Sequence, residues 1–270
     1  MYYRLRRFLK WIIKVNWYKT IRVNFGLLPF NQACHFPIIV TGRLIISSLA
    51  GRVVFDCPIK RGLVIIGKSL DHMPIGGTPA RLMVQGELVF KGKCVIGAGS
   101  NLTVWPSGKI ILGKYVMITS GVLMKSEELI EIGDLTSITS GCFVQDTNVH
   151  LIKNIHTGEI KRTMHPIKIG RACWILMNST IMGGTCLPDY CIVARNTFLN
   201  KNFEKLCPPG SMLAGAPARV VRSDVQRVFS IGKERKINRF FREHPEADKY
   251  QDVPGWEAEK DEDIDIVYRL

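Results

Sequence analysis

"IGRACWILMNSTIMGGTCLPDYCIVARNTFL", residues 169–199, decides the fold. Ile169, Ile175, Ile181, Leu187, Val193 and Leu199 recur every sixth residue. Four residues after each of the first five stands a small side chain: Cys173, Ser179, Thr185, Cys191 and Thr197. An amphipathic helix repeats every 3.6 residues and a half-buried strand every 2, so a period of six belongs to neither. It is the signature of a hexapeptide β-helix, in which six residues make a short strand and a turn and three such units close one triangular coil. The aliphatic points inward and stacks on its counterpart one coil away, and the small residue fills the crowded space beside the turn.

Upstream the same phase returns as Ile132, Ile138 and Val144, as Leu112, Ile118 and Met124, and as Val84, Phe90, Ile96 and Leu102, with a weaker start near Val40 and Ile46. The small positions continue as Thr136, Cys142, Val116, Val122, Leu88, Cys94 and Ser100. The expected fold class is an all-β solenoid with an N-terminal amphipathic helix and a C-terminal helical segment. Gly follows Ile96, Leu112, Ile132 and Ile169, which reads as a turn that needs positive φ. The phase slips between Leu102 and Leu112 and between Met124 and Ile132, and is lost after Val144. Six residues beyond Val144 is His150, and the next in-phase aliphatic is Ile169. Residues 151–168 therefore read as a loop extruded from the coil, the kind of segment on which a rigid scaffold carries function.

The ends differ from the middle. Residues 1–22 hold Arg4, Arg6, Arg7, Lys10, Lys14, Lys19 and Arg22 with no acid, and Leu5, Phe8, Leu9, Ile12 and Val15 fall at helical spacing among them. That is a basic amphipathic helix, suited to peripheral contact with an anionic membrane surface. Residues 1–39 form this N-terminal segment, 40–207 the β-helix and 208–270 a C-terminal turn, helices and acidic tail. "SDVQ" (223–226) has the form of a helix capping box, and Glu257 to Asp265 hold six acids against Lys260.

A net charge of +14 on 270 residues, gathered on the terminal helix and joined to no recognised binding motif, argues against nucleic acid as partner. No P-loop, dinucleotide fingerprint or EF-hand loop is present. The eight cysteines form no framework and no CxxC pair, which predicts buried thiols in a reducing, cytoplasmic compartment.

Three features resemble the hexapeptide-repeat acyltransferases, whose members include maltose, serine and colanic-acid O-acetyltransferases. They are the repeat itself; "QDTNVHLI" (145–152), similar to an Asp-x-Asp-x-His segment; and "IKIGRACWI" (167–175) with "AGAPARVVR" (214–222), similar to Ile-Gly-x-x-x-Trp-Ile and Ala-Gly-x-Pro-Ala-Lys/Arg-Val. "NFGLLPFNQACHFPI" (24–38) is similar to the opening segment of polysaccharide-modifying members. The resemblance covers about residues 40–222. It implies a left-handed parallel coil, against the usual right-handed crossover, and a homotrimer with acyl-CoA in the cleft between neighbouring prisms. It also implies acetyl transfer from acetyl-CoA to a hydroxyl of a sugar or polysaccharide precursor.

An alcohol must lose its proton as it attacks a thioester, and histidine is the side chain suited to accept it near neutral pH. His150 matches the family's base, with Asp146 or Asn148 to orient its ring; His156 and His165 in the same loop are its rivals. For the donor the resemblance implies Trp174, Met177, Ala194 and Arg195 along the pantetheine and Lys201, Arg219 and Arg222 near the adenine and phosphates. The chain departs from the pattern at Asn148, where Asp is usual, and at Leu176, Met177 and Arg195, where small residues are usual. Covalent transfer through Cys142, Cys173 or Cys191 is disfavoured, because the repeat points all three inward. No metal is expected. Two alternatives remain: a non-catalytic trimeric scaffold, and a zinc protein of the carbonic-anhydrase type using the same coil, for which His72 is the available histidine before the loop.

Overall fold

The computed structural model describes residues 13–70 and 78–255. Positions 1–12, which carry most of the basic stripe, and His72 lie outside them. The described chain divides into two units, residues 1–225 and 226–270.

The first unit is a parallel β-solenoid. Among the described residues its strands form three sheets of nine, seven and six strands, and within each sheet, except at the last two strands of the nine-stranded one, a strand pairs with the strand three further along the chain. The three sheets are the three faces of a prism. The first holds Ile38–Val40, Val64–Lys68, Cys94–Gly97, Val116–Ile118, Ser137–Ile138, Trp174–Ile175, Ile192–Val193 and Met212–Ala214. The second includes Leu44–Leu49, Phe143–Gln145, Thr180–Met182 and Phe198–Leu199. The third includes Arg52–Phe55, Leu129–Ile132, Ile167–Ile169 and Cys186–Leu187.

The pairing makes the six-residue phase physical. Ile96, Ile118, Ile138, Ile175, Val193 and Leu213 stand in register on the first face; Leu102, Met124, Val144, Ile181 and Leu199 on the second; Phe90, Leu112, Ile132, Ile169 and Leu187 on the third. All are buried in one continuous core. The small positions are buried with them, from Ser100 and Thr136 through Ser179, Thr185 and Thr197. Apart from Thr197, their hydroxyls bond to carbonyls, as Thr136 Oγ1 does to Gly170 (2.8 Å) and Ser179 Oγ to Ala194 (2.9 Å). The phase slips are wider corners between the second and third faces, at Trp105–Gly108 and at Glu127–Glu128.

Two expectations need correction. The glycines that follow Ile132 and Ile169 do not supply positive φ. They leave room for the next turn: a Cβ on Gly133 would lie 2.6 Å from Arg171 N, and one on Gly170 would lie 2.6 Å from Asp189 Oδ1. The left-handed residue comes three after the aliphatic, at Tyr115, Leu135, Ala172, Asn178, Tyr190 and Asn196. In addition the helix expected to start at Ser223 starts at Ile231, capped by Ser230, whose hydroxyl accepts from Lys233 N (3.3 Å). Asp224 lies at φ +59, a conformation that no helix start takes. Helix Ile231–Glu243 carries Ile237, Phe240 and Phe241 and belongs to the second unit.

Beyond Leu199, where the six-residue phase stops, the first face is extended by Met212–Ala214 and closed by an antiparallel strand, Arg219–Arg222. At the other end helix Trp17–Leu27 covers the open edge of strand Ile38–Val40. Asn24 is the clamp: its Oδ1 accepts from Ile38 N (3.1 Å) and its Nδ2 donates to Ile38 O (2.7 Å), while Thr20 Oγ1 accepts from Val40 N (3.1 Å). Asn16 N donates to Val40 O (2.8 Å). An edge that would otherwise template another strand is thereby satisfied. No helix among the described residues is long and apolar enough to cross a membrane.

Candidate active site

The extruded loop leaves the second face at Gln145 and returns to the third face at Ile167. Its two legs are bridged antiparallel at Thr147 with Met164 and at Lys153 with Ile160. Asn148 N donates to Thr163 O (3.2 Å) and His165 N to Asp146 O (2.9 Å). Arg162 pairs with Glu128 of the preceding coil at 2.7 Å. The loop therefore stands as a braced finger on the corner between the second and third faces.

Asp146 is its anchor. The residue is fully buried, Oδ1 accepts from Glu127 N (2.8 Å), and Oδ2 accepts from Glu128 N (2.9 Å) and Ser126 Oγ (2.7 Å). Three donors from the corner one coil back converge on one carboxylate, which pins the loop's first turn. Thr147 Oγ1 then accepts from Val149 N (3.0 Å) and Val149 takes φ +63. His150 N donates to Asn148 O (2.6 Å). This tight turn sets the exposed His150 ring outside the prism. Among the described residues the imidazole forms no hydrogen bond, so neither Asp146 nor Asn148 holds it. His156 lies at the loop tip, where Asn154 Oδ1 accepts from His156 N and Thr157 N, while His165 packs at the base over Gly183 and Gly184.

The residues expected along the acyl donor lie elsewhere on the prism. Trp174 is on the first face, half-buried between Ser137 and Ile192 in the ladder. Leu176 and Met177, and one coil on Ala194 and exposed Arg195, follow at the corner between the first and second faces. Lys201 is exposed at the corner that carries the His150 loop, its Nζ 5.8 Å from the Phe203 ring centre. Arg219 and Arg222 are exposed on the closing strand. His150 and the Trp174 group thus flank opposite edges of the second face of a single chain. A groove of about 620 Å³ on the third face, lined by Glu131, Lys168, Arg171 and Asp189, does not include His150.

Burial pushes Cys142 up to about 11 and raises Cys94 and Cys173 as well, which keeps these thiols protonated, whereas the hydrogen bond with Cys173 lowers Cys191; Cys34 is exposed, against the expectation that all eight thiols are buried. Among the described residues no three His, Cys, Asp or Glu side chains gather where they would hold a metal ion. Sequence reasoning missed Glu128, Ser126 and Arg162 as the loop's supports. Their contacts span about a coil in sequence, and periodicity carries no trace of which corner touches which loop.

No protein-family model matches the chain. It is 24% identical over 152 residues to the protein named "Putative lipopolysaccharide biosynthesis O-acetyl transferase WbbJ" of Escherichia coli K12, covering 53% of this chain and 76% of that one. It is 29% identical over 121 residues to the carnitine operon protein CaiE of Salmonella agona, covering 43% of this chain and 59% of CaiE. Among solved structures, the polysialic acid O-acetyltransferase OatWY aligns with 75% of this chain and 98% of its own, at 18% identity and TM-score 0.36. The acetyl-CoA complex of a hexapeptide-repeat acetyltransferase from Vibrio cholerae aligns with 46% of this chain and 70% of its own, at 24% identity and TM-score 0.36. The repeat forms a parallel three-faced coil, and over 152 residues the chain is similar to WbbJ, a protein named as an O-acetyl transferase.

Proposed function

We propose that the protein transfers an acetyl group from acetyl-CoA to a hydroxyl of a sugar or glycan precursor, with His150 as general base and no covalent enzyme intermediate. The observation that supports this reading is an exposed imidazole, without a hydrogen bond among the described residues, raised on a loop that a buried carboxylate anchors. As the acceptor oxygen bonds to the thioester carbon, its proton passes to His150; the imidazolium then returns a proton to the departing thiolate. A positioned base contributes about 10²- to 10⁴-fold. Cys142 and Cys173, held above the ordinary range, and Cys191, fully buried in the core, support direct transfer over a cysteine relay.

Trp174, Met177, Ala194 and Arg195 supply the pantetheine wall and Lys201, Arg219 and Arg222 the cations for adenine and phosphates. Because that wall and His150 flank opposite edges of one face, the donor lies between two chains, with the wall of one prism facing the His150 loop of the next. A homotrimer of parallel prisms meets this requirement. Asn148 and Asp146 act by shaping the turn that presents the ring.

The test of donor binding is thermal unfolding with acetyl-CoA. A ligand at 100 times its Kd adds about 2.7 kcal/mol to the native state, so a clear rise in Tm is expected. No rise at saturating acetyl-CoA favours a non-catalytic scaffold.

A further inference from the structure

Helix Trp17–Leu27 is inside out. The face it buries holds Thr20, Val23, Asn24 and Leu27, two of them polar and spent on the edge of strand Ile38–Val40. The face it turns to water holds Tyr18, Ile21 and Phe25, which are 64%, 47% and 42% exposed. These fall at helical spacing on one stripe, opposite the clamp. The clamp fixes the helix's rotation, so the stripe cannot turn inward. Phe30, 76% exposed, extends it: its ring lies 5.8 Å from that of Phe25, which in turn lies 6.1 Å from Phe36. An apolar strip of this kind on a solvent face marks an interaction site.

Charge states the partner. Lys19 and Arg22 border the stripe on the same helix, with Lys19 Nζ 5.4 Å and Arg22 Cζ 6.0 Å from the Tyr18 ring centre. The first acidic residue of the chain is Asp56; before it stand nine Lys and Arg. Aromatic and aliphatic side chains between cations, in a stretch of sequence with no acid, match the boundary of an anionic bilayer, where rings and alkyl groups sink among the headgroups and cations meet phosphate. A nucleic acid would use the cations and leave Ile21 and Phe25 in water.

We propose that the outer face of helix Trp17–Leu27, continued by Phe30, docks the N-terminal end of the prism on an anionic lipid surface. The solenoid axis then runs away from the bilayer.

The experiment is cosedimentation of the full chain with vesicles of phosphatidylcholine alone and of phosphatidylcholine mixed with phosphatidylglycerol, across a salt series. Expected is binding to the mixed vesicles that weakens with salt and is at least tenfold weaker to the neutral ones. Ile21→Ser with Phe25→Ser should weaken it at least tenfold, and each of Lys19→Gln and Arg22→Gln roughly fivefold, with unfolding temperatures unchanged. Equal pelleting of wild type and variants overturns the proposal, as does no pelleting at low salt. Duplex DNA that binds the chain more tightly than the mixed vesicles do, or a change of sedimentation mass caused by the double variant without lipid, also overturns it by assigning the face to nucleic acid or to a second copy.

Discussion

His150 and Asp146 sit four residues apart and divide the work between exposure and burial. Among the described residues the His150 side chain has no partner to lose, so His150→Ala should leave the unfolding free energy within about 0.5 kcal/mol of wild type. Asp146→Ala removes the acceptor for three donors and should cost at least about 3 kcal/mol, since each buried donor left unmade costs about 1–3 kcal/mol. Urea unfolding of the two variants separates the roles; equal stabilities would show that Asp146 is not the anchor. The thiols give a pH signature. Burial holds the folded Cys142 up to about 11 against an ordinary value of 9.0, and Cys94 and Cys173 are raised in the same direction. A raised folded value means that the folded state binds the proton more tightly. Stability is then full below about 9 and falls as pH climbs from there toward 11. Unfolding measured on either side of pH 9 checks it, with the urea midpoint expected to drop on the alkaline side.

At the scale of the element, the corners at Gly97, Gly113, Gly133 and Gly170 follow a two-position rule: no Cβ just after the inward aliphatic, and a left-handed residue two further on. Gly170→Ala puts a methyl 2.6 Å from Asp189 Oδ1 and 2.7 Å from neighbouring backbone, and should destabilise by about 1–3 kcal/mol. Ala172→Gly, at φ +56, relieves a strain of about 1–2 kcal/mol and gives back about 0.5–1 in chain entropy. It should be neutral or slightly stabilising. Thermal melts of the pair decide it, and the opposite order would contradict this reading of the corner. Here the sequence was legible in one respect and misleading in another. The spacing of Ile169, Ile175 and Ile181 announced the strand, and the break after Val144 announced the loop. The glycine signal pointed to the wrong torsion, because a lone Gly is equally consistent with positive φ and with close approach. The supports of the loop, Ser126, Glu128 and Arg162, were illegible because a wide corner has no period.

At the scale of the molecule, the coil keeps His150 and the Trp174 group on separate corners of one chain, which is why the proposed reading calls on a second chain. Strands three apart in sequence lie side by side, so residues that share a corner recur about once per coil and residues on different corners stay a face apart. The loop that carries His150 was legible from the break in the repeat. That it would stand across a face from Trp174 and Met177 was not, since the period fixes the phase along the chain and not which corner comes first. The clamp of Asn24 and Thr20 on strand Ile38–Val40 was hidden in the same way, in a stretch with no repeat at all. The most direct test of the whole account is release of CoA thiol from acetyl-CoA by the wild type and His150→Ala across a panel of glycan acceptors. The account predicts acceptor-dependent release by the wild type and a rate about 10²- to 10⁴-fold lower in the variant, at unchanged stability. Equal rates from the two proteins would contradict it.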